Sequence, residues 1–120
     1  MNEQTAFVRS MVARFPKLSE LFEEHIKSNF GEVLPHVFFG GVTRYVLSLL
    51  LAENGRSLPP RRELRDVLGY LEEAYSGDNE KIRELISVSF LENLPRPGDT
   101  GAQIREMIGA NLRKQLNVIG

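Results

Sequence analysis

Apolar residues recur every three to four positions along most of this chain, and each run is bounded by residues that start or stop helices. Val8, Met11, Val12 and Phe15 share one helical face beside Phe7, the i, i+3, i+4, i+7 spacing of an amphipathic helix. Asn2 is a suitable N-cap for that helix and Pro16 its stop. Pro16 can open a second helix, since the first turn needs no N–H donor there. Leu18, Leu21, Phe22, His25, Ile26 and Phe30 line its inner face, and Gly31 follows as a C′ residue able to take positive φ. A third helix is predicted from Pro35 to about Asn54-Gly55. Its stripe of Phe38, Val42, Tyr45, Val46 and Leu49 is widened by Phe39, Leu47, Leu50 and Leu51 to most of the circumference, which places it in the middle of a bundle. Gly40-Gly41 inside it serves either close helix contact or a kink.

Residues 56–60 read as a rigid connector, with Pro60 in the first turn of a fourth helix. That helix carries Leu64, Val67, Leu68, Leu71 and Tyr75 on one side and ends at Gly77. Asp78 is placed to cap a fifth helix at once, which makes a tight αα-hairpin. Ile82, Leu85, Ile86, Phe90 and Leu94 are in phase along the fifth helix, with Val88 and Leu91 filling in around them. Pro95 to Asp99 breaks the chain. Thr100 and Gln103 then have capping-box spacing for a sixth helix, whose inner face is Ile104, Met107, Ile108, Leu112 and Leu116. No stretch alternates with the period of two that strands require. The pattern therefore predicts an all-α fold: a single compact bundle of about six helices built from antiparallel helical hairpins, with residues 1–120 as one domain.

Composition narrows the function classes more than it names one. The chain is 42% hydrophobic and 26% charged, with 15 basic against 16 acidic residues, the profile of an ordinary globular domain. No basic stripe marks it for nucleic acid. The absence of cysteine removes disulfides, thiolate chemistry and Cys-bound metal. The N-terminal residues lack a secretory pattern and the apolar stretch 37–52 is too short and interrupted to span a bilayer, so a cytoplasmic location is the expectation.

Candidate chemistry is sparse. His25 and His36, with Glu23, Glu24 and Glu32 near them in sequence, could nominally form a metal site, but no HExxH or Glu-x-x-His pair accompanies them. The simpler reading is a hydrogen-bonded core His25 and an exposed or loop-bonding His36. The serines lack a nucleophile elbow, and no phosphate loop is present. Arg56, Arg61, Arg62 and Arg65 are interrupted by acids and read as an ion-paired helix surface. Arg96 and Arg105 flank the Thr100 turn, where a helix start could bind a carboxylate or phosphate, although a capped helix with solvated arginines is the simpler reading. Glu72, Glu73, Asp78 and Glu80 gather at the turn between helices four and five, where charge could steer a basic partner. Glu92 and Asn93 are polar residues at the end of an otherwise apolar helix, placed either to satisfy backbone groups or to anchor a partner.

At Gly31-Glu32-Val33-Leu34-Pro35-His36-Val37-Phe38-Phe39-Gly40 and again at Val88-Ser89-Phe90-Leu91-Glu92-Asn93-Leu94, the chain resembles a group of small uncharacterised bacterial helical proteins. An LPH helix start and an FLENL helix end recur in that group, and some members resemble immunity proteins of polymorphic toxin systems. The resemblance implies that Leu34, Pro35, His36 and Phe90 to Leu94 are family-defining positions. The expectation is a non-enzymatic protein-binding domain with no catalytic residue, metal or cofactor, in its most concrete form an immunity protein that occludes a toxin. Its candidate partner-binding residues are Glu32, His36, Glu72, Glu73, Asp78, Glu80, Glu92 and Asn93. The alternative is a homodimerisation module using the apolar excess of the third helix. A metal-dependent hydrolase built on His25 and His36 is the third reading.

Overall fold

The computed structural model describes residues 2–52 and 58–119, with residues 52 and 58–61 through their backbone alone. Among these residues there are seven α-helices and no strand: α1 (Glu3–Arg14), α2 (Ser19–Ser28), α3 (Pro35–Ala52), α4 (Leu58–Tyr75), α5 (Glu80–Ser89), α6 (Ile104–Met107) and α7 (Ala110–Ile119). Two 3-10 turns, Pro16–Leu18 and Leu91–Asn93, complete the order. The fold is an all-α bundle. None of the described helices is long and apolar enough to cross a membrane.

Helix ends follow the local chemistry closely. Asn2 Oδ1 accepts from the N–H groups of Gln4 (2.7 Å) and Thr5 (3.2 Å), satisfying donors that a helix start leaves unpaired. Asn79, rather than the expected Asp78, does the same for α5 through Lys81 N–H (2.9 Å) and Ile82 N–H (3.2 Å). The one-residue difference arises because the chain needs residues 76–78 to reverse direction after α4. Arg83 closes that hairpin from the other side: its Nε donates to the Tyr75 carbonyl at 2.9 Å, and its guanidinium stacks over the Tyr75 ring. The expected connector at 56–60 falls partly outside the described residues, as does the Arg56–Arg61 half of the basic cluster. What is described of it begins α4 at Leu58, so Pro59 and Pro60 occupy the first turn.

The buried faces are those the periodicity predicts for α1 and α4, with Val8, Met11, Leu64, Val67 and Leu71 fully enclosed. In α5 Leu85 and Ile86 are enclosed as expected, but the helix ends at Ser89, so Phe90, Leu91 and Leu94 are buried beyond it and Val88 is 44% exposed. The buried residues form one contiguous core. Helix α3 lies at its centre, packed on α1, α2, α4 and α5. An aromatic chain crosses the core from Phe39 on α3 to Phe7 on α1 (ring centroids 6.0 Å) and on to Tyr70 on α4 (5.7 Å). Each such contact contributes about 0.5–1.5 kcal/mol beyond area burial. Gly41 admits Leu21 of α2 closely, since a Cβ there would stand 3.2 Å from a Leu21 methyl. Of the Gly40-Gly41 pair, Gly41 therefore serves helix contact, and α3 runs through both without a break.

The apolar excess expected on α3 is mostly covered inside the chain. Leu50 is buried, Leu47 packs beside Gly101, and the Tyr45 hydroxyl donates to Glu63 at 3.0 Å, leaving Leu51 at 47% exposure. Burial, the hydrogen bond to Glu63 and the Glu63 charge together push the Tyr45 phenol well above its ordinary pKa of 10.0.

The predicted sixth helix is two helices. Gly101, at φ +88° and buried against Leu47 and Pro95, holds a left-handed turn that a continuous helix cannot contain. Gln103 stands before α6 with no side-chain cap bond, so the Thr100–Gln103 box does not form. The chain breaks again at Ile108-Gly109, and α4 supplies the reason. Glu72 accepts from Asn111 N–H (3.1 Å), Asn111 Nδ2 (2.8 Å) and Leu112 N–H (3.0 Å), capping α7 from a neighbouring helix. A Cβ on Gly109 would lie 2.5 Å from the Glu72 carboxyl carbon, so any other residue there must push the Glu72 side chain out of its capping position.

Removing a capping carboxylate of this kind costs about 1–2 kcal/mol. Glu72→Ala and Gly109→Ala are each expected to lower the urea midpoint by a corresponding amount. In the Glu72→Ala background the added Gly109→Ala change becomes nearly neutral, because the side chain it displaces is gone. Equal effects in both backgrounds would refute the cap.

Candidate functional site

The second helix ends earlier than its apolar pattern predicts. Helix α2 stops at Ser28, Asn29 is its C-cap, and the Gly31 N–H donates to the Ile26 carbonyl at 2.9 Å, the six-to-one bond of a Schellman turn. The left-handed C′ position of that turn falls on Phe30 (φ +54°), with Gly31 (φ +85°) following it. Phe30 is therefore not on the inner face of α2. Its side chain is 96% exposed, held in a backbone conformation that costs an L-residue roughly 1–2 kcal/mol. Leu34 (37% exposed) lies on the same connection into α3, and Val37 (58%) in the first turn of α3. All three are thus exposed apolar residues within one short stretch of chain.

Beside it opens a cleft of about 200 Å³. Leu21, His25 and Phe38 line it, with Glu24 and Arg44 at exposed positions around it. His25 is the hinge of the arrangement. Its Nε2 accepts from the Leu34 N–H at 2.9 Å, its ring meets Phe38 edge-on at 5.5 Å, and Asn29 Nδ2 donates to its carbonyl at 2.7 Å while lying 3.2 Å from Nδ1. The imidazole thus ties the 29–34 segment to α2. Accepting from a backbone N–H requires an unprotonated Nε2, and burial lowers the pKa of His25 below 6.5.

The eight residues singled out from the sequence separate into two groups at the two ends of α5. A helix of that length spans about 15 Å. At its end, His36 Nδ1 bonds Ser89 Oγ, and the Ser89 carbonyl accepts from Asn93 Nδ2 (3.0 Å) and from Thr43 Oγ1 (3.2 Å). His36, Asn93 and Glu92 are exposed there, and exposed Glu32 lies on the segment leading into α3. The two stretches that carried the family resemblance, residues 31–40 and 88–94, therefore meet in space. The His36–Ser89 pair sits at a helix C-terminus, where carbonyls concentrate negative partial charge. The bond joins the start of α3 to the end of α5 and ties the two helices together. At the start of α5, Glu73, Asp78 and Glu80 are exposed, whereas Glu72 is engaged in capping α7. Among the described residues, no group of three or more His, Asp or Glu side chains is arranged to hold a metal ion.

Phe30 and Val37 were not among the sequence candidates. The signal present was Asn29-Phe30-Gly31, a helix-ending turn in which the aromatic falls one place short of the glycine. Spacing from Ile26 masked it.

These features define an all-α bundle with an apolar, partly cleft-bearing face at the α2–α3 connection. Residues 8–118 match the family described as "Domain of unknown function (DUF7674)", and the chain belongs to that family. Comparison with curated proteins and with solved structures gives no match.

A histidine whose folded pKa lies below its unfolded value leaves stability intact above about pH 6.5 and lowers it as pH falls from there, because the unfolded chain takes the proton first. The urea midpoint is expected to fall between pH 7 and 5.5. In His25→Gln, whose Oε1 can accept the Leu34 N–H, the fall over that range should be smaller. Identical profiles for the two proteins would remove His25 as the cause.

Proposed function

We propose that this chain is a non-enzymatic protein-binding domain whose partner seats on the face formed by Phe30, Leu34 and Val37. The observation that carries the reading is Phe30: a large aromatic, almost wholly exposed, kept in a left-handed backbone position where Asn or Gly would be more stable. A fold gains nothing from that choice, whereas an interface gains a rigid aromatic anchor. Glu32 and His36 are exposed in the same stretch of chain, and Glu73, Asp78 and Glu80 at the far end of α5 supply charge that can raise association rates.

In its most specific form the proposal is an immunity protein that neutralises a cognate toxin by covering it. The support is the bacterial immunity-like resemblance of residues 31–40 and 88–94, the segments that meet beside the Phe30 face. Homodimerisation is the second reading, and one observation favours it. The exposed Phe30 directly follows Asn29, which lines the cleft, and about 200 Å³ is enough for a phenyl ring, given that engineered cavities of about 150 Å³ take benzene, so a two-fold contact could seat the ring of each copy on the other.

Phe30→Asn separates binding from folding. Its thermal midpoint is expected to equal or exceed that of the wild type, since Asn tolerates the left-handed region. Protection of cells against a toxin encoded beside the gene, and complex formation with that toxin, should be lost. Full protection by Phe30→Asn would discard the proposed face. A monomeric mass for the wild type by light scattering at high concentration would discard the dimer.

A further inference from the structure

We propose that a second cleft, between the 91–96 segment and α7, binds a carboxylate carried on an aliphatic body. This cleft of about 580 Å³ shares no residue with the Phe30 face. Its floor is Leu91, Leu94 and Leu116, all buried, and Ile119, which remains 37% exposed. Glu92, Arg96 and Arg105 supply its charged groups. Neither arginine is carried on a loose segment. Arg105 donates from Nη1 to the Pro95 carbonyl at 3.1 Å, and the Arg96 carbonyl accepts from Asp99 N–H at 2.9 Å. Gly101, buried against Pro95, holds the same loop from behind.

The bond to Pro95 uses one of the five donors of the Arg105 guanidinium, whose planar fork suits a carboxylate. The choice of anion follows from the rest of the cleft. A doubly charged phosphate would meet the Glu92 carboxylate and leave the leucine floor uncovered. A singly charged carboxylate with an aliphatic body is drawn by two cations against one anion and covers Ile119 and the leucines. The Arg105 guanidinium, held by Pro95, reduces the ordering that binding requires. Two sources present the same chemistry: a free aliphatic acid, or the C-terminus of a peptide ending in an apolar residue.

The test is an NMR titration of the 15N-labelled chain with octanoate, N-acetyl-leucyl-isoleucine, the C-terminal amide of that dipeptide, and inorganic phosphate. Saturable shifts at Leu91, Arg105 and Ile119 are expected with a carboxylate ligand and not with the amide. A response to octanoate alone assigns a free acid, and a response to the dipeptide assigns a peptide terminus. Arg96→Gln should weaken binding on the order of tenfold, and Glu92→Gln should tighten it. Opposite signs from two exposed positions cannot come from misfolding. Equal shifts with the amide, equal shifts with phosphate, or no shift from either carboxylate would overturn the proposal.

Discussion

Where α5 ends, its last carbonyls lie inside the protein and must find donors there. That requirement organises the bundle. The Ser89 carbonyl is met by Thr43 from the middle of α3 and by Asn93 from the following 3-10 turn, while the Ser89 hydroxyl meets His36 at the start of α3. Two of the three bonds at this residue, those from Thr43 and His36, set α3 against α5 along their lengths. An unsatisfied buried carbonyl costs about as much as a lost hydrogen bond and its desolvation, roughly 1–3 kcal/mol, a large share of the stability of a domain this size. With α3 placed, the 29–37 segment must approach it from outside. The chain leaving Asn93 must cross toward α7, forming the arginine cleft on its way.

The same accounting explains which polar residues serve the fold and which do not. Glu72 sits in the last turn of α4, where a negative charge is unfavourable to the helix dipole, and its three bonds to α7 account for it. Glu80 lies in the first turn of α5, where the dipole favours it. Glu73 has no such local justification, nor do the exposed Glu32 and Glu92. Phe30 goes further, because it opposes both the backbone preference and the burial preference of an aromatic. Natural sequences are locally consistent except where function imposes otherwise, which is why Phe30 weighs more than any of the acidic positions.

Much of the bundle was legible from the apolar period and the caps. The faces Val8-Met11-Phe15 and Leu64-Val67-Leu71 are local facts, set by a 3.6-residue repeat, and Asn2 and Pro16 bound the first helix through chemistry within four residues. The candidate site was legible only in part. Spacing continued the stripe of α2 through Phe30, but spacing does not register that two turn residues intervene. His25 was recognised as a hydrogen-bonded core histidine, and its tie to Leu34, nine residues on, needed the folded loop to be seen.

What the sequence by itself determined, then, is the all-α class and the inward side of helices such as α1 and α4, because both depend on neighbours one turn apart. Only the tertiary structure decided that the last predicted helix is two, that Glu72 is a cap rather than a free charge, and that Arg96 and Arg105 share a cleft with Ile119. Each of these depends on groups brought together across tens of residues, where the satisfaction of buried backbone and the space left by a missing Cβ outweigh local preference.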